Sequence, residues 1–154
     1  MAVDMDRKIL AILNSNARKS FREIAKDIGI STTAVINAVK RMEKAGAIRG
    51  YIPLADPEFF GSGLTAIVAV RISGGRLIET QKTISEDPRV TAVYDVTGDW
   101  DSLIIGRFDG REDLNAFLKN LLAVPCVERT VTHIVLNVVK EDPRVFIPEA
   151  VRRS

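Results

Sequence analysis

Apolar and polar positions follow a helical period over the first third of the chain and a strand-and-helix alternation over the rest. Ile9, Leu10 and Leu13 share one face of a first helix that opens at Arg7-Lys8-Ile9-Leu10, with Asp4 or Asp6 at its start. Ser20-Phe21-Arg22-Glu23 has the form of a capping box, in which the Ser20 hydroxyl and the Glu23 carboxylate each satisfy a free amide of a second helix. Ile24, Ala25 and Ile28 face inward from that helix, and Gly29 supplies the left-handed residue of a tight turn. Ser31 caps a third helix from Thr32 to Ala45, stopped by Gly46, whose Val35, Val39 and Met42 recur at helical spacing.

Beyond Gly50 the pattern changes. Pro53 and Pro57 exclude helix from Tyr51 to Pro57, which reads as an extended connector or a short edge strand, and Gly61-Ser62-Gly63 marks a flexible joint. Leu64 to Ile72 then alternates as a strand, broken by Gly74-Gly75. A helix through Leu77, Ile78, Gln81 and Ile84 ends before Asp87-Pro88. Val90 to Val96 and Ser102 to Phe108 are two further strands, joined by Thr97-Gly98-Asp99-Trp100-Asp101. Asp109-Gly110 turns into a helix with Leu114, Phe117, Leu118, Leu121 and Leu122 on its apolar side, and after Pro125 a long strand from Val127 to Val139 is rich in Val, Ile and Thr.

The order βαββαβ is the ferredoxin-like plan, an antiparallel sheet with both helices on one face, and with the helices before it the fold class is α+β. Residues 1–50 form a helix-turn-helix domain, 51–63 the connector and 64–154 the βαββαβ domain. Apolar residues on both strand parities in Leu64–Ile72 and Ile134–Val139 predict that the second sheet face is also covered. A second copy of the chain is the simplest cover, so a homodimer packed sheet on sheet is expected. The tail from Asp142 to Ser154, with Phe146, Ile147 and Pro148 ahead of Arg152-Arg153, either docks on the oligomer or stays loose.

Charge sharpens this division. The net charge is only +2 over 154 residues, but residues 1–50 hold ten Lys/Arg against five Asp/Glu. Residues 51–154 hold twelve against fifteen, so only the first part is suited to a polyanion. No apolar run approaches the length of a membrane span and the first residues carry no signal-peptide pattern, which points to a cytoplasmic protein with no membrane partner. One cysteine, Cys126, and one histidine, His133, leave no disulfide framework and no structural zinc set. Both read as residues of the last strand, without a catalytic companion in sequence. There is no P-loop, no GxGxxG after a strand and no Ser/His/Asp signature, so neither catalytic residues nor a cofactor are expected.

Two helices joined by a short glycine-containing turn are the unit that places its second helix in the major groove of double-stranded DNA. Thr32, Thr33, Ile36, Asn37, Lys40 and Arg41 lie away from the packing stripe of the third helix, with Ser31 at its start. Thr32 and Thr33 suit a phosphate or a thymine methyl, Asn37 suits adenine, and Lys40 and Arg41 suit phosphates. Lys19 and Arg22 at the second helix and Arg49 at the connector are expected to add affinity without sequence preference.

A basic helix-turn-helix, an extended connector and a βαββαβ domain, in that order, resemble the leucine-responsive/asparagine-regulator (Lrp/AsnC) family of transcription factors. The likeness is carried by Asp6-Arg7-Lys8-Ile9-Leu10, by Ile24 to Ser31, by Val39 to Tyr51 (similar to the family's third helix and wing), by Asp56-Pro57 and by Gly98-Asp99-Trp100-Asp101. It implies a sequence-specific transcriptional regulator forming dimers that assemble into tetramers or octamers, with an amino acid or related metabolite bound in the C-terminal domain. It also places effector binding at Gly98, Asp99, Trp100 and Asp101, completed by a neighbouring subunit, with Thr130 and Thr132 as hydroxyl donors. Glycine lets backbone amides approach a ligand carboxylate, and an aspartate accepts hydrogen bonds from an ammonium group.

This chain has Ile36 and Ala38 where the family commonly carries polar or basic residues. Thin direct base readout, with apolar contact and DNA deformability carrying more of the specificity, is one consequence. The other is a metabolite-sensing partner protein that binds DNA weakly by itself. A third reading, from the same resemblance, is a tetrapyrrole-modifying enzyme on this fold.

Overall fold

In the computed structural model of the chain, residues 2–61 and 63–147 are described. Ser62 of the expected joint and the tail from Pro148 onward lie outside them. The chain divides into two compact units, one holding Met1–Leu54 with the C-terminal stretch from Glu141, the other Ala55–Lys140.

The first unit is built from α1 (Ala2–Ser15), α2 (Phe21–Ile28) and α3 (Thr32–Lys44). α1 begins five residues earlier than Arg7, because Met5 continues the apolar face of Ile9, Ile12 and Leu13 by one turn. Asp4 and Asp6 therefore lie inside the helix, Asp4 facing Lys8 one turn on and Asp6 paired with Arg41 of α3. The capping box of α2 is complete: Ser20 Oγ accepts from the Glu23 amide, and the Ser20 amide donates to Glu23 Oε2 at 2.8 Å. Those bonds from Ser20 hold the Glu23 carboxyl below its ordinary range. Gly29 turns the chain at φ 70°, and Ser31 Oγ caps α3 by accepting from the Ala34 amide at 3.2 Å. Ile9, Leu13, Ile24, Ala25, Val35, Ala38, Val39, Met42 and Ile48 form the core.

After α3 the described residues of this unit contain no strand, so the connector is extended but unpaired. Tyr51 turns back to α3 and donates its hydroxyl to Glu43 Oε1 at 3.0 Å. Burial, then that bond, pushes the Tyr51 hydroxyl upward in pKa. The C-terminal stretch joins this unit because Asn14 Nδ2 of α1 donates to the Val145 carbonyl at 2.7 Å. The expected boundary of 64–154 for the second domain is corrected accordingly.

The second unit runs β1 (Leu64–Ile72), α4 (Leu77–Ser85), β2 (Val90–Asp95), β3 (Ser102–Phe108), α5 (Arg111–Leu122) and β4 (Val127–Ile134), after a single 3-10 turn at Glu58–Phe60. The strands form one antiparallel sheet in the order β2-β3-β1-β4. Ala66, Val68, Val70, Ile104 and Phe108 meet Ile84 of α4 and Leu114, Phe117 and Leu121 of α5 on one face. Arg89, leading into β2, ties the layers together. It bonds Asp87 and Asp113 at 2.6 Å each and lies over the rings of Phe108 and Phe117. Its guanidinium in turn holds the Asp87 carboxyl below the usual range.

Three expectations fail in this unit. β4 ends at Ile134 instead of Val139, because β1 begins at Leu64 and the ladder closes with the Val135 amide on the Thr65 carbonyl. Leu136 is consequently 96% exposed. Ile78 of α4 and Leu122 of α5 point outward, at 80% and 52% exposure, and Thr80 takes the inward position on α4. The opposite sheet face carries Ile67, Ala69, Leu103, Ile105, Val131 and Tyr94 in register, and neither helix covers it.

Candidate DNA-reading helix and effector loop

Thr32, Thr33, Asn37, Lys40 and Arg41 are exposed on α3, on the side away from the buried Val35, Val39 and Met42. The first turn of α3 holds no acidic residue, so its free amides and the positive end of the helix dipole remain available to a phosphate. Ser31 caps those amides and keeps its hydroxyl hydrogen for a further acceptor.

The basic residues divide into two groups. Arg22, Lys40 and Arg49 are exposed and have no acidic partner among the described residues. Lys19 is paired with Asp27 and Arg41 with Asp6. Exposed pairs of this kind are worth at most about 1 kcal/mol, so both cations can still turn to a phosphate at modest cost.

The two unusual positions separate as well. Ile36 is half-buried and lies outside the core cluster, whereas Ala38 is fully buried at 0% exposure among Ile9, Ile24 and Val35. Ala38 is a packing residue, and its lack of charge carries no penalty for base readout.

In the second unit Gly98-Asp99-Trp100-Asp101 spans β2 and β3, with Gly98 at φ 111°, a conformation that favours glycine. Asp101 is engaged by the scaffold. Its Oδ2 accepts from the Ile72 amide at 2.8 Å, where the β1–β4 register shifts, and its own amide donates to the Val70 carbonyl at 3.0 Å. Arg71 lies 3.8 Å from the same carboxylate and donates to the Asp99 carbonyl. The Arg129 guanidinium sits over the Trp100 ring, 4.6 Å from its centre. The Asp99 side chain is exposed and has no partner among the described residues.

Thr130 and Thr132 are not brought to this loop. They pair with Val70 and Val68, whose side chains pack under the helices, so the two hydroxyls sit on the helix-covered face of β4. The residues that do reach the loop from the sheet are Arg71 and Arg129, direct register partners on the open face. Sequence reasoning missed both. The available signal was strand parity, since Arg71 and Arg129 alternate with the buried set on β1 and with the threonines on β4.

No helix among the described residues is long and apolar enough to cross a membrane. Residues 4–49 match the model for winged helix-turn-helix DNA-binding domains, and residues 65–145 match that of the Lrp/AsnC ligand binding domain. An HTH-type transcriptional regulator of Pyrococcus horikoshii is 43% identical over 141 residues, 92% of this chain and 95% of its own. Among solved structures, E. coli AsnC superposes with a TM-score of 0.84 at 25% identity, covering 94% of this chain and 97% of its own. A feast or famine regulatory protein from M. tuberculosis, solved with L-methionine, superposes with a TM-score of 0.83 at 28% identity, covering 94% of this chain and 98% of its own. The exposed α3 and the ligand-binding domain are thus the two working parts of a DNA-binding, metabolite-sensing transcriptional regulator, and the chain belongs to the Lrp/AsnC family.

Proposed function

We propose that the chain is a homo-oligomeric regulator that reads specific DNA with α3 and answers to an amino acid or related small metabolite at the Gly98–Asp101 loop. The observation that carries the reading is the exposed face of α3, with Thr32, Thr33, Asn37 and Lys40 opposite a fully packed stripe. In a major groove Asn37 pairs with adenine, the threonine methyls meet thymine, and Lys40, Arg22 and Arg49 hold phosphates. Ile36 adds an apolar contact at the same face.

The effector class is supported by the L-methionine held by the M. tuberculosis relative and by a loop in which a glycine admits close approach. Assembly is supported by the open apolar sheet face, which a second copy covers by the same residues. No bond is made or broken: the effector favours one assembly over another, and assembly sets how DNA-binding pairs are spaced. Such a regulator works beside the DNA, in the cytoplasm, and needs no resident cofactor.

Sedimentation of the full chain, alone and with each of the twenty L-amino acids, tests this reading. The expected result is at least a dimer without additive, and a redistribution among larger assemblies with one or a few of the amino acids. A monomer at micromolar concentration that ignores all twenty contradicts it.

A further inference from the structure

We infer that Arg129 receives the effector's carboxylate, with Trp100 as its platform and the Asp99 side chain as the opposite pole for the ammonium, so that the loop is matched to a free α-amino acid. This rests on the effector reading above and names the groups that would make it selective.

Arg71 and Arg129 are directly opposed across the β1–β4 pair, so two guanidinium groups leave the open sheet face side by side. Like charges in that relation repel, and a sheet tolerates them when something of opposite sign lies at hand. Arg71 has its compensation in Asp101 and the Asp99 carbonyl, contacts that also tie the loop to the sheet. Arg129 has none among the described residues; its guanidinium only rests against the Trp100 ring. Asp99, on the neighbouring residue of the loop, carries a carboxylate that is likewise unpaired among the described residues.

An acid and a base adjoining the same tryptophan, each without a partner and not joined to one another, suit a ligand that carries both signs. An α-amino acid is the smallest such ligand. A guanidinium fixed against an indole has lost the freedom that a binding event would otherwise remove, and its outward N–H groups form a fork matched to a carboxylate. The half-buried indole adds an apolar wall for the rest of the ligand. Arg71 is a positioning residue in this arrangement, holding the Asp99 backbone while Arg129 makes the contact.

The chain has one tryptophan, so its emission reports on this loop and nowhere else. The full chain is titrated with the twenty free L-amino acids, by fluorescence and by calorimetry, and every amino acid that binds is compared with its carboxyl amide. For the wild type, the amide is expected to bind about ten- to a hundredfold more weakly than the acid, the cost of one lost charge-assisted contact. In Arg129→Gln the acid falls to the level of the amide and the two become equal, while Arg129→Lys retains part of the difference. An undiminished preference for the acid in Arg129→Gln overturns the assignment and leaves the effector reading standing. No binding of any amino acid to the wild type overturns both.

Discussion

Ala38→Arg is expected to unfold the DNA-binding unit. On the sequence alone this substitution looks like a way to strengthen the grip on DNA, because it places a cation on the helix that enters the groove. The side chain of Ala38 is instead at 0% exposure, enclosed by the core cluster of α1, α2 and α3. A guanidinium there has no acidic partner within the core and displaces Ile9, Ile24 or Val35 to make room. Overpacking and an unpaired buried charge together cost roughly 3–5 kcal/mol. Total stability of a small domain is only about 5–15 kcal/mol, so the unit loses most of its margin. Circular dichroism and a DNA titration should then show helix content and DNA affinity falling together. Ile36→Arg is the matched control: half-buried and outside the core, it should move stability by about 0.5 kcal/mol. A folded, DNA-binding Ala38→Arg protein would mean that α3 is packed differently.

The second large effect is on recognition without any loss of fold. Replacing Thr33, Asn37 and Lys40 together by alanine removes a methyl contact, a bidentate partner for adenine and a phosphate cation. All three are exposed, and alanine is the better helix former at each, so the melting temperature should hold or rise slightly. A bidentate base contact is worth about 1–3 kcal/mol of discrimination. With the other two, preference for the target over unrelated duplex should fall by roughly a hundredfold or more. Lys40→Ala alone should lower the slope of log affinity against log salt by about one, leaving sequence preference nearly intact. Competitive binding against a scrambled duplex separates the two outcomes. If the triple variant keeps its full preference, α3 is not the reading helix.

Much of this fold was legible because its local signals are chemically strict. Ser20 with Glu23, Gly29 and Ser31 each demand one geometry, and the structure shows all of them. β1 and β3 carry the bounds read from their alternation. What was not legible depends on partners distant in sequence. The end of β4 is decided by where β1 begins, 63 residues upstream of Val127, and nothing inside Val127–Val139 records that. Ile78 and Leu122 have the right chemistry for a core but sit one position off the inward stripe. Ala38 is ambiguous in sequence because a small residue fits a packed interface and an open face equally well. The effector loop was found from its glycine and aspartates, while Arg71 and Arg129 reach it only through the register of β1 with β4. The same register turns Thr130 and Thr132 to the other side.

The most direct test is a titration of the full chain against its own upstream DNA and a scrambled duplex of equal length, repeated over a range of salt concentrations. A clear preference for the native duplex that persists at every salt, with affinity falling steeply as salt rises, is the expected result for a regulator reading bases through α3. Equal and weak binding to both duplexes would contradict it, and would leave the exposed face of α3 without the partner its chemistry fits.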